Sequence, residues 1–222
     1  MRPIATFHSP FSSKFGIPRQ AGIVTGITGQ IILAKEYRNA DAIRGMEEFD
    51  YLWLIWGFSA NKHKANGITV RPPRLGGNRQ LGVFATRSPF RPNPIGLSSV
   101  RIDHIDYHST EAPVIHVLGA DLMDGTPIYD IKPYIPYTDA HPEARGGFTD
   151  TNEWHPLKVI VPKELKMLIS AQLIQVLAQD PRPQYHNDPD RIYGMPFDGK
   201  DVRFKVQGHT LTVVDVAPLK QN

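Results

Sequence analysis

Three aspartates, Asp121, Asp124 and Asp130, fall within ten residues of the segment GADLMDGTPIYDIKPY, residues 119–134. Carboxylates this close in sequence could hold a metal, act as general bases, or accept hydrogen bonds from a ribose diol. The plainer alternative is that they form turns and bond to their own backbone. This applies most to Asp124, which makes the tight-turn dipeptide Asp124-Gly125. A calcium-binding EF-hand loop is excluded, because its alternating ligand spacing and closing glutamate are absent.

A second dense segment is GVFATRSPFRPNPIGLS, residues 82–98, with three prolines around Arg87, Arg91 and Asn93. Proline fixes φ and removes chain entropy, so these polar side chains would project from a stiff loop suited to recognition. A tight crossover whose arginines face water is the alternative. Weaker signals are FGIPRQAG, residues 15–22, which offers Arg19, Gln20 and backbone amides, and two basic–aromatic pairings suited to phosphate and base contact. These pairings are Lys132-Pro133-Tyr134, and Arg182 with Tyr185 in DPRPQY.

Several chemistries drop out. The chain has no cysteine, which removes disulfides, thiolate ligands and cysteine nucleophiles together. His104, His108 and His116 do not follow any known zinc-ligand spacing, so no metal is expected. Ser88 and Ser98 lack the G-x-S-x-G elbow of serine hydrolases.

Formal charge is only +3, but no acid occurs between Asp50 and Asp103. That stretch carries Lys62, Lys64, Arg71, Arg74, Arg79, Arg87, Arg91 and Arg101. Such a segment can build a positive face that draws phosphate backbones through counterion release. No run reaches the roughly 18–20 apolar residues of a membrane helix, and the start has no signal-peptide layout, so a cytoplasmic location with no membrane partner is expected.

The elements that must position these residues read as strands. Twenty prolines and eighteen glycines cut the chain into short segments and disfavour a helical bundle. Strands are predicted at 22–34 as two runs joined at Thr28-Gly29, at 51–58 buried on both faces, and at 80–86, 97–105, 114–118 and 128–131. One short helix is predicted over 40–49 and a longer one from Pro162 to Gln179, followed by a hairpin around Gly208. This pattern predicts a mainly β chain: a small antiparallel β-barrel over 1–137, a linker at about 138–156, and a small α+β domain within 138–222. The glycine fingerprint of a Rossmann dinucleotide site is missing, since Leu75-Gly76-Gly77-Asn78 runs into a strand-like segment.

Read in order, PRQAG, TVRPPRLGGN, GVFATRSPFRPNPIGLS, DLMDGTPIYDIKPY and DPRPQY span residues 18–185. Together they resemble the tRNA threonylcarbamoyladenosine methyltransferase (TrmO) family. The resemblance implies a β-barrel that binds S-adenosylmethionine and methylates the exocyclic nitrogen of the modified adenosine beside the anticodon of threonine tRNA. It also implies a homodimer. The implied cofactor pocket comprises Pro18, Arg19, Gln20, Ala21 and Gly22, then Ser59 and Ala60, Arg87, Leu97, and Asp121, Leu122, Met123 and Asp124. Ser59-Ala60 replaces the histidine and glutamine frequent in relatives, so contacts there would come from the backbone. Asp121 and Tyr134 are the implied bases, and Arg87 or Arg91 would clamp the carboxylate of the modification. Arg71, Arg74, Arg91, Asn93, Lys132, Arg182 and Tyr185 would contact RNA. A non-catalytic RNA-binding module using the same basic face is the alternative.

Overall fold

The computed structural model describes residues 1–61, 67–72, 75, 79–151, 155–182 and 188–220. Lys62, Lys64, Arg74, Gly76 to Asn78 and Tyr185, singled out above, lie outside the described residues. The fold is mainly β. Strands β1 (Ala5–His8), β2 (Thr28–Leu33), β3 (Tyr51–Gly57), β6 (Ile95–Asp106), β7 (Val114–Leu118) and β8 (Thr126–Pro133) form an antiparallel barrel in the order β1-β2-β7-β6-β3-β8, closed where β8 returns to β1. A two-stranded ribbon, β4 (Thr69–Val70) with β5 (Leu81–Gly82), stands beside it.

Strand periodicity explains the barrel interior. Alternate residues of a strand point to one face, so Leu52, Leu54 and Trp56 of β3 turn inward with Phe7, Ile31, Val100, Ile115 and Ile128. Two glycines let large rings lie flat across neighbouring strands. A Cβ on Gly29 would sit 2.3 Å from the Phe7 ring, and one on Gly96, which pairs with Trp56, would sit 2.3 Å from that indole.

A second core lies under the sheet β10 (Tyr193–Phe197), β11 (Lys200–Gln207), β12 (Thr210–Pro218) and β9 (Lys158–Ile160). Helix α2 (Ala171–Ala178) packs there through Leu173, Val176 and Leu177. The shorter α1 (Pro136–Asp139) follows β8. Phe11, Val24 and Ile27, from the connection between β1 and β2, also belong to this second core, and Phe11 meets Phe197 edge-on at 5.5 Å.

Several sequence expectations are corrected. Residues 22–27 are turns rather than a first strand run, because Val24 and Ile27 are buried in the second core instead of pairing in the barrel. β3 is buried on one face only, with Tyr51 43% exposed on the other. The 80–86 strand shrinks to Leu81–Gly82 followed by a 3-10 turn, Val83–Ala85. The 40–49 helix is two 3-10 turns separated by Gly45 at φ 83°. The 162–179 helix breaks at Ser170, whose extended backbone lets its side chain accept from Leu173 N–H and cap α2. Strands β9 and β10 were not foreseen, although Asp198-Gly199, both at positive φ, is the turn that a tight hairpin requires.

Two outcomes test this packing. Gly29→Ala is expected to cost about 1–3 kcal/mol by overpacking against Phe7, read as a lower denaturant midpoint at unchanged slope. On the barrel wall His104 and His116 stack at 4.1 Å, and burial followed by the charge of His104 holds the His116 pKa below the usual imidazole range. As pH falls through that range the unfolded chain takes up its proton first, so native stability drops. His116→Gln is therefore expected to flatten the fall in Tm on acidification from neutral pH; parallel curves would contradict it.

Candidate functional site

A cavity of about 560 Å³ opens at one end of the barrel, within the size range of small-ligand sites. Three segments converge on it. The β1–β2 connection brings Pro18, Arg19, Gln20 and Ala21; the end of β3 and the residues after it bring Trp56, Gly57, Phe58, Ser59 and Ala60; the proline-rich loop and β6 bring Arg87, Pro89, Arg91, Leu97 and Ser98. Asp121 and Met123, ahead of β8, complete the wall.

The cavity wall carries one continuous hydrogen-bond chain. Trp56 Nε1–H donates to Ser98 Oγ at 3.0 Å, and Ser98 Oγ–H donates to Asp121 Oδ1 at 2.6 Å. β3 and β6 pair with Leu54 opposite Ser98 and Trp56 opposite Gly96, so both donors face inward. Ser98 is 3% exposed, and with Thr126 it is one of two fully buried polar residues among those described. Burial pushes the Asp121 pKa above the ordinary carboxylate range. The Ser98 hydroxyl, the N–H groups of Asp121 and Ala21, and the Arg87 guanidinium oppose that shift without cancelling it. A carboxylate in such a setting is a better proton acceptor than one in water.

Arg87 Nη1 donates to Gln20 Oε1, which ties the proline-rich loop to the β1–β2 connection. Arg91 is turned to its own loop, donating to the carbonyl oxygens of Thr86 at 2.9 Å and Ser88 at 3.4 Å. The loop is thus stiffened by an arginine as well as by its prolines.

Not every residue singled out from the sequence lines this cavity. Leu122 is fully buried in the barrel core, and Gly22 N–H donates to the Gly119 carbonyl at 2.8 Å. Asp124 pairs with His8 Nδ1 at 3.0 Å and Asp130 with Lys132 at 3.0 Å, so the three neighbouring aspartates diverge, and the described residues contain no metal-binding cluster. The Tyr134 ring rests against Trp53 at 5.5 Å, outside the lining, and Arg182 pairs with Asp180 at 2.9 Å far along the chain. Sequence reasoning passed over Trp56 and dismissed Ser98 as a nucleophile. Their positions in phase with Leu54 and Val100 on inward strand faces were the available signal.

Residues 6–140 match the family model for the tRNA-methyltransferase O N-terminal domain, and residues 159–219 match that for the TrmO C-terminal domain. The chain is similar to the tRNA (adenine(37)-N6)-methyltransferase of Escherichia coli, at 37% identity covering 97% of this chain and 96% of that one. It is 39% identical, over the same shares, to a Pseudomonas aeruginosa protein that carries a provisional name as an S-adenosylmethionine-dependent methyltransferase. A crystal structure of TrmO superposes with a TM-score of 0.77 at 34% identity over 97% of each chain, and that of TrmO from Pseudomonas aeruginosa at 0.77 and 33%, over 97% of this chain and 96% of that one.

The buried carboxylate has a measurable signature. As pH rises from the ordinary carboxylate range through the raised pKa, the unfolded chain ionises first and native stability falls. Asp121→Asn cannot ionise yet can still accept from Ser98. It is expected to match the wild type in acid and to exceed it in Tm towards neutral pH; lower stability across the whole pH range would rule out a strained carboxylate.

Proposed function

Because this chain belongs to the tRNA-methyltransferase O family, we propose that it is an S-adenosylmethionine-dependent tRNA methyltransferase acting on N6 of adenine 37. We propose further that its substrate is the threonylcarbamoyl-modified adenosine of threonine tRNA. The observation that carries the reading is a cavity pairing one largely desolvated carboxylate, Asp121, with the arginine-bearing loop of Arg87.

The lining suits a zwitterionic nucleoside cofactor. Trp56, Phe58 and Pro89 supply flat apolar surface, Asp121 supplies negative charge, and Arg19 and Arg87 supply positive charge. Pro18 to Ala21, Ser59, Ala60, Arg87, Leu97, Asp121 and Met123 would hold it, with Gly22, Leu122 and Asp124 acting by shaping the backbone beneath. When bound, S-adenosylmethionine supplies a methyl group already activated on sulfur, so no protein nucleophile is required. The adenosine nitrogen must lose a proton as it gains the methyl carbon. Asp121 would accept that proton, and the Trp56–Ser98–Asp121 hydrogen-bond chain, which engages one of its carboxylate oxygens, supports that reading. Tyr134, the other proposed base, packs against Trp53, a residue of the cavity wall.

Arg87 would meet the carboxylate of the threonylcarbamoyl group, while Arg71, Arg91, Asn93, Lys132 and Arg182 remain proposed RNA contacts. We also propose a barrel domain over 1–137 and a second domain within 138–222. The two cores support that division, although Phe11, Val24 and Ile27 cross it. Homodimerisation and a cytoplasmic location belong to the same proposal; no helix among the described residues is long and apolar enough to cross a membrane.

Two measurements test the reading. Calorimetric titration with S-adenosylmethionine should show binding, and methyl transfer should occur on threonine tRNA carrying the threonylcarbamoyl group and fail on tRNA lacking it; equal transfer to both would refute the finer substrate. Arg87→Ala should lower kcat/KM by about 10- to 100-fold, the scale of a lost charge-assisted contact, with the fold intact by circular dichroism. Unchanged turnover would remove Arg87 from the site.

A further inference from the structure

Beside the cavity, and sharing Arg19, Gln20, Thr86, Arg87 and Pro89 with it, runs a groove of about 1680 Å³ between the barrel and the segment 146–149. Its described lining holds Arg19, Arg71 and Arg87 and no aspartate or glutamate. Three phenylalanines, Phe84, Phe90 and Phe148, also line it, and Phe84 is 78% and Phe90 46% exposed. Apolar rings gathered in one groove and rimmed by polar residues mark a contact surface, as singly exposed rings do not.

Both exposed rings are held in place by their neighbours. Phe84 occupies the middle of the 3-10 turn Val83–Ala85, where Val83 is buried at 1% exposure and anchors the turn. Phe90 stands between Pro89 and Arg91, whose guanidinium ties down the carbonyls of Thr86 and Ser88. Little further ordering is needed for a flat ligand to stack on either ring.

Resting on the methyltransferase reading above, we propose that this groove is the track for the unpaired strand of the RNA substrate. Bases stack on Phe84 and Phe90, the arginines meet phosphates, and one nucleotide turns through the shared wall into the cavity. Exposed aromatics interleaved with arginines and free of acids are what a single strand requires. A duplex hides its base faces and offers only phosphates, and an apolar protein partner would bury the positive charge of this lining with no anion to meet it.

The test is fluorescence anisotropy of the full chain with an anticodon stem-loop RNA and with a fully paired RNA of equal length. Phe84→Ala and Phe90→Ala are each expected to weaken stem-loop binding about tenfold, with the paired RNA unaffected, and Phe84→Tyr to restore it. Arg71→Ala should reduce the slope of log affinity against log salt by about 0.7–0.9, one phosphate contact. Calorimetric binding of S-adenosylmethionine should be unchanged in Phe84→Ala, since Phe84 does not line the cavity. Unaltered stem-loop affinity in both alanine variants overturns the proposal, and so does a drop in particle mass by light scattering in Phe84→Ala, which would assign the face to a second copy of the chain. Wild-type protein that transfers methyl groups while the alanine variants keep full RNA affinity sinks the groove alone. Wild-type protein that shows the predicted RNA losses yet transfers no methyl group sinks the enzyme reading and leaves the groove.

Discussion

The arrangement of the molecule depends on three apolar side chains that leave one core to fill another. Phe11, Val24 and Ile27 belong by sequence to the barrel half, yet they are buried with α2 and the C-terminal sheet. Each contributes roughly 1.5–3 kcal/mol on burial. They hold the β1–β2 connection at both ends, and between them Pro18 to Ala21 are presented to the cavity. Every described residue lining that cavity lies between positions 14 and 126, so the described part of the C-terminal unit supplies no wall. Its part is to fix the loop that does. The backbone bonds of Gly22 to Gly119 and of Gly119 to Ile27 then fasten the same connection to the segment leading to Asp121.

The second constraint is electrostatic. Keeping a carboxylate in a desolvated wall destabilises its ionised form, and the barrel compensates only in part through Ser98, two backbone N–H groups and Arg87. Stability alone would favour an amide or an apolar residue there. A carboxylate kept at such a position fits the proton-accepting role proposed for Asp121, whereas Asp124 and Asp130, paired with His8 and Lys132, carry no such implication.

The stiff loop joins the cavity to the groove. Its outward side chains, Phe84 and Phe90, face the groove, while Arg87 and Pro89 belong to both groove and cavity. A rigid connection between adjacent sites lets a long substrate be held at a distance from the reacting atom, so that binding energy is used for orientation.

Local patterns in the sequence reached as far as local physics allows. The strand at 114–118 and the Gly208 hairpin survive unchanged, because strand propensity and turn chemistry are properties of a few adjacent residues. The family motifs marked the loops around Arg19, Arg87 and Asp121, which the fold does bring together. The failures share a cause. Val24 and Ile27 have the composition of a strand, and residues 162–179 have helical spacing, but a neighbouring core claimed the first pair and Ser170 capped a new helix inside the second. The bond chain from Trp56 through Ser98 to Asp121 joins residues 42 and 23 positions apart. No periodicity reports such separations; only closing the barrel, which sets β3 against β6 in register, decides which inward side chains meet.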